Sequence, residues 1–226
     1  MSIWSRISEA LSALAAGESL SAVFDRLRSP PERSVAFAIA VIALGAKMAK
    51  ADGHVTRDEV TAFREVFHIA AQDEAGAAKV FNLARQDVAG FEEYADRIKS
   101  MFSGEPETLL DLLEGLFHIA MADGFYHPNE DAFLERVTEI FDLPQAEFNR
   151  LRMRFAPDAH QDPYAVLGVT ADMPHSEIRK AWRRLVRENH PDVMMARGVP
   201  QEAMQLAQKR MADINRAWDE ISVAAH

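Results

Sequence analysis

The stretch Ser176-Glu177-Ile178-Arg179-Lys180-Ala181-Trp182-Arg183-Arg184-Leu185-Val186-Arg187-Glu188-Asn189-His190-Pro191-Asp192 decides how this chain is read. Ile178, Trp182 and Leu185 recur at i, i+4 and i+7, an apolar stripe that a helix turns toward a core. Arg179, Lys180, Arg183, Arg184 and Arg187 occupy the remaining arc, five cations against Glu177 and Glu188. With Ser176 as cap and Pro174 shortly before it, the segment predicts a helix with one positive face. Pro191 has no amide donor, so the helix cannot continue through it, and its ring pushes His190 out of the α region. His190-Pro191-Asp192 therefore stands at a rigid corner. Downstream, Gln201 to Ile221 carries Leu206, Met211, Ile214, Trp218 and Ile221, the opposing stripe of a second long helix. Upstream, Asp162 to Val169 predicts a short helix whose Tyr164 and Leu167 pack across the pair.

The corner has a chemistry of its own. The Asp192 carboxylate can accept charge-assisted hydrogen bonds from a partner's arginine. The basic face can steer toward an acidic partner surface. Five cations on one helix would also allow nucleic acid. Against that, Trp182 is the one aromatic in the helix, it lies on the apolar stripe, and no second basic cluster exists. Nucleic acid is therefore not the expected partner.

This order of parts, over Asp162 to Ile221, resembles the J-domain family, the DnaJ-type cochaperones that stimulate the ATPase of DnaK-type chaperones. The resemblance implies a helical hairpin bearing His190, Pro191 and Asp192. It also implies a DnaK-type partner met by that tripeptide and the basic face, with Asp192 the residue expected to matter most.

Composition bounds the rest. The 226 residues contain no cysteine, which excludes disulfides, thiolate catalysis and cysteine-ligated zinc. Residues 1–159 hold 26 acidic and 16 basic residues, whereas residues 160–226 hold 9 of each. A phosphate backbone would be repelled by the first part, whose acidity suits a cation site or a well-hydrated surface. The apolar run Val35 to Ala46 covers only 12 residues, short of the roughly 20 that span a bilayer. It predicts a buried core helix and no membrane span. Ile3, Trp4, Ile7, Leu11 and Leu14 fall at helical spacing in a segment with no signal-peptide pattern, so the expected location is cytoplasmic and the helix should pack on its own domain.

Helical periodicity runs through the chain, and period-2 alternation is not sustained anywhere; the expected fold class is all-α. Long helices are expected over Glu32 to Lys50, Thr56 to Ala70, Asp73 to Ala84, Phe91 to Phe102, Glu107 to Met121, Pro128 to Phe141 and Pro144 to Phe155. Residues 1–31 form an N-terminal segment, 32–155 a bundle, 156–161 a polar linker and 162–226 the J-like unit.

The bundle contains a near-repeat. Ala49-Lys50-Ala51-Asp52-Gly53 and Ala120-Met121-Ala122-Asp123-Gly124 each end an apolar helix, and Glu59 and Glu130 follow in the same register. Thr56 and Glu59 make a capping box, and Pro128 at N1 with Glu130 at N3 suits a second helix start. The pair of turns resembles the TerB-like family associated with tellurite resistance, over roughly Glu32 to Phe155. That resemblance implies acidic residues gathered around a metal, for which Asp52, Asp58, Glu59, Asp123 and Glu130 are the candidates, holding a divalent cation such as Ca²⁺ or Mg²⁺. The local alternative is that Asp-Gly permits the turn and the glutamates cap helices; the residues favour it. His54 and His127 beside the turns read as solvated, His68 and His118 as core residues.

A TerB-like bundle joined to a J domain resembles the DjlA-type cochaperones. Those begin with a membrane-spanning segment, and this sequence departs from them there. The expected function is a cochaperone, not an enzyme: no phosphate loop, His-Glu-x-x-His or nucleophile elbow occurs. The bundle would supply targeting, homodimerisation or choice of an unknown client. The rival is a metal- or stress-sensing protein with the J-like hairpin as accessory.

Overall fold

The computed structural model describes residues 3–27, 32–51, 66–67, 69, 75, 77, 79–80, 84, 90–121, 126–155 and 162–224. The described regular structure is helical, as the periodicity requires, and no strand occurs among the described residues. Numbered in chain order, the helices with described ends are α1 (Ile3–Ala15), α2 (Leu20–Arg26), α3 (Glu32–Ala51), α4 (Phe91–Met101), α5 (Pro106–Ala120), α6 (Pro128–Ile140) and α7 (Gln145–Phe155). After these come α8 (Pro163–Leu167), α9 (His175–Glu188), α10 (Pro191–Ala196) and α11 (Met204–Ala224).

α3 is the axis of the bundle. Its run from Val35 to Leu44 is apolar all round, and every side chain in it is 1% exposed or less. A helix apolar on all sides needs neighbours on all sides, and α1, α4, α5 and α6 supply them. Gly45 lets α5 come close: a Cβ there would meet Ile119 Cδ1 at 2.9 Å. α1 packs on this domain as its spacing requires, burying Trp4, Ile7, Leu11 and Leu14, with Trp4 edge-on to Phe67 at 6.0 Å. α5 buries Leu109, Leu112, Leu113, Leu116 and Phe117, and with them two acids, Asp111 and Glu114. Among the described residues no helix is long and apolar enough to cross a membrane.

In the C-terminal unit α8 lies across α9 and α11. Leu167, Ile178, Ile214, Ala217 and Ile221 form its small core, with Tyr164, Trp182, Leu185 and Trp218 half-buried around it. α9 starts two residues before the sequence indicates, at His175 and not after Ser176. Its cap is Pro174, whose carbonyl accepts from the Glu177 and Ile178 amides at 2.8 and 3.2 Å, so Ser176 lies inside the first turn. Trp182 is not in the centre of the core. It stacks on Trp218 with centroids 5.0 Å apart, and its indole N–H donates to Asn215 Oδ1 at 3.1 Å.

The expected stripe of α11 is divided. Ile214 and Ile221 face α8 and α9, but Leu206 belongs to the core of the bundle, together with Ala203, Ala207, Met194 and Val199. A helix of 21 residues spans about 30 Å at 1.5 Å per residue, enough to serve two cores in succession.

Candidate functional site

The basic face of α9 is open. Arg179, Lys180, Arg183, Arg184 and Arg187 are all exposed. Lys180 pairs with Glu177 at 2.8 Å, Arg184 lies 3.9 Å from Glu188, and Arg187 Nε donates to the Arg183 carbonyl at 3.3 Å. Exposed pairs of this kind contribute about 0–1 kcal/mol, so the cations remain available to a partner.

α9 ends at Asn189, whose amide and side-chain Nδ2 both donate to the Leu185 carbonyl, at 3.0 and 2.8 Å. His190 takes φ −65° and ψ 137°, the extended geometry that the following proline imposes. Pro191 then opens α10 at N1, where its missing donor costs nothing. His190 Nδ1 accepts from the Asp192 amide at 3.2 Å and so caps the new helix. The Asp192 carboxylate lies 3.6 Å from that ring, beyond hydrogen-bond reach, and its side chain is 80% exposed. The corner thus presents an exposed carboxylate with no hydrogen-bond partner among the described residues, just past the end of a helix that carries five exposed cations.

On the inner side the corner meets the bundle. Arg197 caps α10; its guanidinium donates to the Glu188 carbonyl at 2.5 Å and stands 3.8 Å from Asp111. Thr108 Oγ1 donates to the Arg197 carbonyl at 3.4 Å. Gly198, at φ +97°, makes the turn that brings Val199 back into the core, and a Cβ on Gly198 would meet Arg33 Cβ at 3.4 Å. Below, Arg210 of α11 donates to Asp111 at 2.8 Å, to Asn189 Oδ1 at 2.6 Å and to Glu114. Arg154 joins Glu114 and Asp213, each at 2.8 Å. These groups form one end of a cleft of about 580 Å³ between α5, α7 and the C-terminal unit, whose apolar lining includes Leu110, Leu151, Val166 and Leu185.

The charges respond to their surroundings in opposite ways. Burial pushes Glu114 up, but Arg210 and Arg154 outweigh it and hold the carboxyl at about 2. Burial raises Asp111 above the usual carboxylate range despite Arg210 and Arg197, and one of its oxygens has no hydrogen-bond donor. Burial lowers His118 to about 4; it lies edge-on to Phe155 at 4.5 Å, half-buried at the margin of the core and not inside it.

Of the metal candidates, Glu130 is described. It is buried, and its Oε2 accepts from the His127 amide at 3.1 Å, which makes it the N3 cap of α6. Asp52, Asp58, Glu59 and Asp123 lie outside the described residues, as do Thr56, His54 and His68. Among the described residues no group of three or more acids and histidines is placed to hold a metal. Sequence reasoning missed Asp111, Glu114, Arg154, Asn189, Arg197, Arg210 and Asp213. The available signal was Asp111 and Glu114 themselves, two acids on the apolar side of a helix that reads Leu109 to Phe117.

Comparison with known proteins follows the same division. Residues 38–153 match the family described as tellurite resistance protein TerB, and residues 162–225 match the DnaJ domain. The chain is 30% identical over 216 residues to Co-chaperone protein DjlA of Photobacterium profundum, covering 84% of this chain and 78% of that one. It is 26% identical to Co-chaperone protein DjlA of Vibrio vulnificus strain YJ016, covering 88% and 82%, and 28% identical to that of Coxiella burnetii, covering 77% and 72%. The chain belongs to the DjlA-type J-domain family. In family terms α8 to α11 are the J domain, and the helices around α3 and α5 are the TerB-like domain. No solved structure matches the chain at comparable stringency.

Proposed function

We propose that this chain is a cochaperone whose J domain binds a DnaK-type chaperone and stimulates its ATPase without itself hydrolysing ATP. The observation that carries this reading is the exposed Asp192 carboxylate, held at a corner beside an unmasked basic face. A fixed carboxylate can take a partner's arginine in a charge-assisted pair, while Arg179, Lys180, Arg183, Arg184 and Arg187 draw in an acidic surface. The similarity to proteins named Co-chaperone protein DjlA supports the same reading. The TerB-like domain would select a client or a second copy of the chain. The ion-sensing alternative has less support, because Glu130 is already engaged as a cap.

The test is a single-turnover ATPase assay of a DnaK-type chaperone with and without this protein. Stimulation by the parent is expected. Asp192→Asn removes one charge and keeps the shape, so it should fold like the parent, within about 0.5 kcal/mol, and lose the stimulation. A variant as active as the parent would end the role assigned to Asp192.

A further inference from the structure

Two cationic ties run from the TerB-like domain to opposite flanks of the His-Pro-Asp corner. The first passes from Asp111 and Glu114 through Arg210 to Asn189 Oδ1, at 2.6 Å, and Asn189 immediately precedes His190. The second pairs Asp111 with Arg197, the cap of α10, which also holds the Glu188 carbonyl at the end of α9. Between them Met194 is fully buried in the core of the bundle. α10 has six residues, too few to hold itself as a helix, so its place must come from what grips it.

Stability alone is a poor reason for this arrangement. Asp111 and Glu114 are each 1% exposed, and Arg210 and Arg154 11% and 13%. Burying so many charges costs as much as their attraction returns, and a well-packed apolar substitute is often no worse. What such a cluster does well is fix one geometry, since each carboxylate and guanidinium accepts few directions.

We propose that Arg210, with Arg197, makes the acid pair of α5 a positioning device for Asp192, so that the TerB-like domain sets the orientation in which the corner meets its partner. This rests on the cochaperone reading for its activity readout. Asp192 is the contacting residue; Asn189, Arg197 and Arg210 are positioning residues.

The test uses the full chain and two variants at one position. Asn189→Ala removes the acceptor for Arg210 and the donor to Leu185, but leaves the contacts of Arg210 with Asp111 and Glu114. Asn189→Asp keeps an acceptor in front of Arg210 and loses only the donor. In the ATPase assay, Asn189→Ala should lower maximal stimulation about tenfold, the factor that about 1.4 kcal/mol represents. The half-saturating concentration should not change, because the basic face is untouched. Asn189→Asp should restore most of the maximum. A residue that merely caps α9 would behave otherwise, since both variants lose the same donor and would fall alike. Amide exchange over residues 190–199, read without any partner, should rise in Asn189→Ala and stay at the parent level in Asn189→Asp. Parent-like stimulation by Asn189→Ala, or an Asn189→Asp no better than Asn189→Ala, overturns the proposal. If the parent stimulates nothing, the cochaperone reading falls, and the exchange pattern alone decides whether the positioning holds.

Discussion

The two halves of α11 have the same apolar periodicity and different partners. Ile214, Ala217 and Ile221 close the small core of the J domain, while Leu206 and Ala207, with Ala203 just before the helix, close the much larger core around α3 and α5. Arg210 lies between the halves, at the point where the helix passes from one core to the other. An amphipathic stripe therefore states how a helix turns, not what it turns against. A hairpin that could stand alone on its sequence is joined to its neighbour by shared apolar side chains and shared charges.

Arg210 is the residue on which the junction of the two cores depends most. Arg210→Met leaves Asp111 and Glu114 buried with less compensation, and removing one side of a buried ion pair costs about 3–5 kcal/mol. Denaturant unfolding should show that loss, and near-ultraviolet signals from Trp4 in the bundle and from Trp182 and Trp218 in the J domain should move to lower denaturant together. Separate transitions would show two independent units.

Leu206→Ala sharpens the same point from the apolar side. Leu206 is 1% exposed, and truncating a buried leucine costs about 2–5 kcal/mol. Although Leu206 belongs to the J domain by sequence, the bundle should be destabilised with it. A variant that disturbs the J-domain tryptophans and leaves Trp4 unmoved would contradict the shared core.

Acid probes the charges between the halves. The folded value of His118 lies at about 4, below its ordinary 6.5, so the fold favours the neutral ring. That contribution is complete above about pH 6.5 and is lost as pH falls toward 4, on the order of 3 kcal/mol in all. Glu114, depressed to about 2, contributes in full above its ordinary 4.5 and loses its share between 4.5 and 2. Stability measured by urea unfolding should therefore decline in two stages. His118→Leu should remove the slope between pH 6.5 and 4 and keep the lower one.

The smallest effect on stability belongs to the outer face. Arg183→Ala alters an exposed side chain and should change stability by under about 0.5 kcal/mol. If the face steers association, the parent's ATPase stimulation should weaken as the Debye length shrinks from about 30 Å at 0.01 M to about 8 Å at physiological salt. That dependence should be shallower in Arg183→Ala. A flat response in the parent would reduce the basic helix to a solvated surface.

The local choices are written in neighbouring residues. The corner follows from Pro191, which has no donor to continue α9 and forces His190 into extended geometry. The buried α3 follows from an apolar run too uniform for any single face, and the start of α6 from Pro128 and Glu130 at N1 and N3. The cation row of α9 follows from spacing alone, because five charges on one arc have nowhere to go but outward. Packing, by contrast, settles where elements distant in the chain meet. The pairing of Asp111 with Arg210 spans 99 residues, and no local propensity encodes it. The division of α11 between two cores depends on where α5 passes. Periodicity is a property of one helix, whereas the identity of the partner is set by the summed packing of all of them, which is why the free side of the corner could be read and the side that holds it could not.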